Sequence, residues 1–128
     1  MADLEKITMN MSVVDLGQID LLVEEGLYSN RADFLRTAVR NQLNSHNDVL
    51  KQSVTRRTMV IGVVDYAAQD LERYRATGDM IDANVVGMLI IHNDVTPELA
   101  KATIKSIKVF GVLSIDAALK TALGDRIK

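Results

Sequence analysis

The chain has 128 residues, 48% of them hydrophobic and 25% charged, which is the balance of a folded soluble protein. It has no cysteine, which excludes disulfides, thiolate metal sites, iron–sulfur clusters and cysteine nucleophiles and fits a cytoplasmic protein. The formal net charge is −2, with no basic half: residues 1–57 hold seven Lys/Arg and eight Asp/Glu, and residues 58–128 hold eight and nine. A nucleic-acid binder of this composition must concentrate its positive groups on one face, or present them from two chains together. Aromatic residues make up 4%, too few for single-strand stacking platforms. No uncharged apolar run approaches the roughly 18 residues of a membrane span, so no membrane association is expected. The charged opening Met-Ala-Asp-Leu-Glu-Lys has no apolar stretch behind it, so no secretory signal is expected either.

Lys6-Ile7-Thr8-Met9-Asn10-Met11 alternates polar and apolar residues, the period of a strand. Ile7, Met9 and Met11 share one face, and Lys6, Thr8 and Asn10 share the other. A single strand of this length is not stable alone and no second strand follows nearby. The simplest partner is the same strand of another chain. Ser12 then precedes a helical pattern of Val13, Leu16, Ile19, Leu22 and Val23, with Asp15 in the first turn and Gly26 as the stop. A second helix opens at Tyr28-Ser29-Asn30-Arg31-Ala32-Asp33, where Asn30 and Asp33 have capping-box spacing. Phe34, Leu35, Ala38, Val39 and Leu43 carry its apolar period, and it holds every basic residue between Lys6 and Lys51: Arg31, Arg36 and Arg40. Simpler roles stand beside these. The strand is half-buried, Ser29 and Asn30 are helix caps, and the arginines are solvated or pair with Glu24, Glu25 and Asp33.

Residues 5–44 resemble the ribbon-helix-helix DNA-binding family, the Arc, MetJ and CopG type. The resemblance rests on the alternating strand, the starter Ser12, the turn Gly26-Leu27-Tyr28-Ser29-Asn30-Arg31 and the run Phe34 to Arg40. It implies an intertwined homodimer whose paired strands enter the major groove of double-stranded DNA. Lys6, Thr8 and Asn10 would then read base edges: lysine donating to guanine, Asn10 pairing with adenine, and Thr8 touching a thymine methyl. Ser29, Asn30 and Arg31 at the second helix's N-terminus would hold a backbone phosphate.

Residues 45–57 are polar and form a junction that Val49, Leu50 and Val54 can extend as helix. Beyond it Val60-Ile61-Gly62-Val63-Val64, Val85-Val86-Gly87-Met88-Leu89 and Val109-Phe110-Gly111-Val112-Leu113 repeat a pattern. A helical stretch follows each: Ala67 to Tyr74, Pro97 to Ile107, and Ala117 to Leu123. Thr96-Pro97-Glu98 is a helix-start signal. The expected class is therefore α+β. A ribbon-helix-helix DNA-binding and dimerisation domain (1–44) is followed by the junction (45–57) and a domain of three strand–helix repeats (58–128). That domain reads as a short β/α solenoid, with a compact ACT-like α+β domain as the alternative.

Asp65, His92, Asn93, Asp94 and Asp116 fall beyond the strand ends, where ligands of parallel sheets gather. The plainer roles are helix capping for Asp94 and Asp116 and exposure for His92. Metal-sensing members of the resembled family use several histidines and a cysteine, whereas here only His46 and His92 are present. No metal and no cofactor are expected. With no serine–histidine pattern, glycine-rich phosphate loop or recognisable carboxylate pair, neither are catalytic residues. The expected function is a sequence-specific transcriptional regulator, a repressor, acting as a homodimer or higher homo-oligomer. Residues 58–128 would associate dimers or bind a protein partner. An antitoxin and a dimeric interaction protein without DNA binding are the alternatives.

Overall fold

The computed structural model describes residues 4–128, which form two compact units dividing at Gln52/Ser53. The first holds helices α1 (Val13–Glu24) and α2 (Arg31–Ser45) and the start of α3 (Asn47–Arg56). Ser12 starts α1: its Oγ accepts the backbone N–H of Val14 at 3.2 Å and of Asp15 at 3.3 Å. Gly26 ends it at φ +84°, with its own N–H donating to the Val23 carbonyl and the Leu27 N–H to that of Leu22. This pair of bonds is the Schellman arrangement, which glycine permits because it has no Cβ. The Tyr28 and Phe34 rings meet edge to face at a centroid distance of 5.0 Å and hold the turn onto α2.

Lys6–Met11 is not a strand within the single chain, contrary to the period-two expectation. The physical reason is that a ladder needs a second strand, and the only sheet among the described residues lies in the other unit. Two of the three apolar side chains of the segment line grooves, while Met9 is exposed. Ile7 lines a groove of about 590 Å³ with Ala32, Leu35, Val39 and Leu43 of α2. Met11 lines another with Ile19, Leu22 and Phe34. Among the described residues up to Gln52, Ile19 alone is buried, while Ile7 and Val13 are each 83% exposed and Val39 58%. The junction is helical from Asn47 to Arg56, a helix separate from α2 because His46 (φ −105°, ψ 16°) interrupts the α conformation.

The second unit alternates strand and helix: β1 (Val60–Tyr66), α4 (Ala68–Thr77), β2 (Ile81–Ile91), α5 (Pro97–Thr103), β3 (Ile104–Ser114) and α6 (Ala117–Ala122). The three strands are parallel and lie side by side in chain order. β3 begins at Ile104, so the helix expected to reach Ile107 ends at Thr103. Ile104 and Ile107 are both buried and pair with Ile81 and Ala83 of β2, and this pairing outweighs helix continuation. Alternation on β2 places Ile81, Ala83, Val85, Leu89 and Ile91 on the buried face, in one cluster with Leu71 of α4, Leu99 of α5 and Leu119 of α6. The buried Thr103 hydroxyl donates to the Leu99 carbonyl at 2.7 Å, so its polar group is satisfied.

Gly62, Gly87 and Gly111 are register partners across all three strands. Each has positive φ, +141°, +137° and +127°, a backbone conformation nearly restricted to glycine. A Cβ on Gly87 would lie 2.2 Å from the Gly62 carbonyl oxygen, and one on Gly111 would lie 2.0 Å from that of Gly87. Polar contacts also run between successive strand–helix segments. The Asp94 carboxylate accepts the Ala68 N–H at 3.1 Å, so it caps α4 and not the helix that follows it, which Thr96 caps. Asp116 caps α6 through the Leu119 N–H at 2.9 Å. Ser106 donates to Asp82 at 2.6 Å, and the Arg126 guanidinium donates to the carbonyls of Lys101 and Ile104 where α5 ends.

Candidate nucleic-acid interface

Two parts of the first unit carry the polar groups singled out from the sequence. Lys6, Thr8 and Asn10 all lie exposed along the extended segment before α1. Ile7 and Met11 take the opposite side of the alternation and line the two apolar grooves. The second part is the start of α2. Asn30 is the N-cap, its side-chain oxygen accepting the Asp33 N–H at 2.8 Å. The return bond from Asp33 goes one residue further back than a capping box requires, with the Ser29 N–H donating to Asp33 Oδ2 at 2.9 Å. These bonds fix the turn and leave the Arg31 and Ala32 N–H groups among those that a helix start provides no intrahelical partner for. The helix dipole adds positive potential there, and the Asp33 carboxylate partly offsets it.

Arg31 points elsewhere. Its guanidinium makes a two-pronged ion pair with Asp20 of α1, Nε to Oδ1 at 2.7 Å and Nη2 to Oδ2 at 2.8 Å. The hydrogen bonds from Arg31 hold the Asp20 carboxyl below the usual aspartate range, and the same pairing raises the Arg31 guanidinium. The sequence reading left the arginines solvated or paired with Glu24, Glu25 and Asp33, whereas Arg31 pairs with Asp20 and joins the two helices across the turn. Arg36 and Arg40 flank the apolar groove on α2 and are exposed.

In the second unit the residues beyond the strand ends divide into separate small contacts. Asp65 and His92 approach at 3.0 Å between Oδ2 and Nε2, both largely exposed. Asp94 and Asp116 are occupied as caps. Among the described residues no three His, Asp or Glu side chains gather closely enough to hold a metal ion.

This arrangement has an exposed polar row ahead of a helix–turn–helix pair, with a capped helix start beside it, and it is that of a ribbon-helix-helix regulator half. The sequence model of the ribbon-helix-helix transcriptional regulator family matches residues 2–120. The chain belongs to that family. The match runs well beyond residues 5–44, so the family pattern includes most of the strand–helix unit as well. Neither a curated protein nor a solved structure matches the chain. No helix among the described residues is long and apolar enough to cross a membrane.

Proposed function

We propose that the protein is a sequence-specific DNA-binding regulator, a repressor, that acts as a homodimer on double-stranded DNA. The observation that carries this reading is the condition of the first unit. It has the helices, the turn and the polar row of its family, yet it buries only Ile19 among its described residues. Folding requires apolar burial that this unit does not reach alone. A second copy, pairing its Lys6–Met11 segment antiparallel to the first, would give both segments a ladder and cover Ile7, Val39 and Leu43. The same pairing would gather Lys6, Thr8 and Asn10 of both chains on one two-stranded ribbon of the width the major groove admits.

On this reading Lys6, Thr8 and Asn10 read bases, and the start of α2 holds a backbone phosphate through Ser29, Asn30 and the free N–H groups. Arg31 serves the phosphate site by keeping that helix start against α1 through Asp20. Residues 1–44 are the DNA-binding and dimerisation domain, residues 45–57 the junction, and residues 58–128 the association domain. The in-register glycines and the chain-order parallel strands support a short β/α solenoid over an ACT-like domain. The folded state of that unit favours a regulator over an antitoxin, whose partner-binding tails order only on binding.

The test is competition between duplex fragments from the gene's own upstream region and shuffled duplexes of equal length. The parent protein should prefer one upstream fragment. The Lys6→Ala, Thr8→Ala, Asn10→Ala triple variant should keep its helical circular dichroism and lose that preference. A triple variant with unchanged preference would show that the ribbon does not read bases.

A further inference from the structure

The two edges of the parallel sheet differ in kind. The β3 edge is partly closed by the chain's own C-terminal segment: the Ile107 N–H donates to the Arg126 carbonyl at 2.9 Å, and the Lys128 N–H to the Ile107 carbonyl at 2.8 Å. It also carries charge. Lys105 is exposed, and Lys108 and Arg57 both place their cationic groups 5.0 Å from the Phe110 ring. Charge and cover of this kind blunt a strand edge against association. The β1 edge has neither. Among the described residues no strand lies outside it. Val60, Ile61 and Val63 are 53%, 63% and 49% exposed, and the strand carries no charge before Asp65. A bare, apolar, uncharged edge is a template for another strand.

The charges around β1 select the occupant and its direction. β1 is preceded by Arg56 and Arg57 and ends near Asp65. A strand of the same sequence laid antiparallel and centred on Gly62 brings Asp65 of each copy toward the Arg56 end of the other. It also keeps the two Asp65 carboxylates at opposite ends. The alternative of continuing the parallel stack with β3 of a second copy in the register of the existing strands would bring Lys105 toward Arg56, which is repulsive. A Cβ on Gly62 would meet nothing within 4 Å, so the outer side of this strand is open at its centre. We infer that β1 pairs antiparallel with β1 of a second copy of this chain, joining two three-stranded sheets edge to edge. The contact is isologous, so it is satisfied within one pair of copies. This extends the association role proposed for residues 58–128 and names its surface.

The chain has no cysteine, so single cysteines carrying a nitroxide label can be placed at Ile61, Val63 and Asp65, which lie on one face of β1 and are exposed. Dipolar electron resonance without DNA then reads the distance between copies. Antiparallel pairing predicts a label separation within about 20 Å at Ile61 and Val63. At Asp65 the separation should be roughly 10 Å longer, because antiparallel strands diverge by two residue rises for each residue moved from the axis. Parallel or stacked packing would give nearly equal separations at all three positions and would overturn the proposal. So would the absence of short distances at both Ile61 and Val63 in variants whose circular dichroism matches the parent. A short distance between a Val63 label on one copy and a Lys108 label on the other would equally overturn it, in favour of head-to-tail stacking. Because no DNA is present, failure of the base-reading proposal leaves these distances unchanged, and failure here leaves DNA preference unchanged.

Discussion

Replacing Gly87 by alanine introduces one carbon atom at the centre of the sheet. That carbon would sit 2.2 Å from the Gly62 carbonyl oxygen, so the two strands must separate by about 1 Å to restore ordinary contact. The parallel hydrogen bonds on either side stretch as they do so, at about 1 kcal/mol for each bond lost. Alanine must also hold a φ near +137°, which costs about 1–3 kcal/mol by itself. Together these terms give a destabilisation of about 3–5 kcal/mol for Gly87→Ala. Gly111→Ala should behave alike, since its Cβ would lie 2.0 Å from the Gly87 oxygen. Gly62→Ala meets no neighbour, so only the backbone cost of about 1–3 kcal/mol applies. Urea unfolding followed by circular dichroism measures the three variants against the parent, provided the slopes agree. The ordering, with Gly87 and Gly111 well above Gly62, is the prediction. Equal losses at Gly62 and Gly87, or a Gly87→Ala loss under about 1 kcal/mol, would refute the close approach of the strands.

Three further outcomes follow from local geometry. Thr58 closes α3 at φ +51°, a position where a β-branched residue is strained, so Thr58→Gly should raise stability by up to about 1 kcal/mol in the same unfolding assay. The Asp20 carboxyl should titrate below the ordinary aspartate value of about 3.9 in a carbon-detected NMR titration, and Arg31→Ala should return it there. The sign follows from linkage: the depressed carboxyl stabilises the α1–α2 pairing above the ordinary value, and that contribution is lost as pH falls through the depressed one. Asp33→Asn retains an oxygen for the Ser29 N–H but removes the negative charge at the α2 start. It should tighten DNA binding by about twofold to fivefold at low salt, read by fluorescence anisotropy.

Local signals written in single residues were the most legible. Ser12, Asn30, Thr96 and Asp116 each cap the helix that follows them, because a short polar side chain before an apolar run satisfies N–H groups from within its own turn. The alternation of Lys6–Met11 put Ile7, Met9 and Met11 on one side; Ile7 and Met11 line grooves and Met9 does not. It also implied hydrogen bonding that one chain does not contain. Contacts between distant segments were less visible. Asp94 has the position of a cap for the helix after it, yet it serves α4, since it lies beside that helix start only after β1 and β2 pair. Asp20 and Arg31 meet only once the turn at Gly26 brings α1 against α2. The limits of β2 and β3 extended past the apolar runs because Asp82 and Ser106, polar residues within them, bond to each other across the sheet.

The most direct test of the central claim is the salt dependence of DNA binding by the unaltered protein. Fluorescence anisotropy on its preferred upstream duplex, from low to physiological salt, gives the slope of log affinity against log salt. A ribbon dimer with a phosphate held at each α2 start predicts a slope of about −2 or steeper, since each neutralised phosphate contributes about −0.9. A flat dependence, or no binding to any upstream duplex by a folded dimer, would contradict the account and turn attention to a protein partner for residues 58–128.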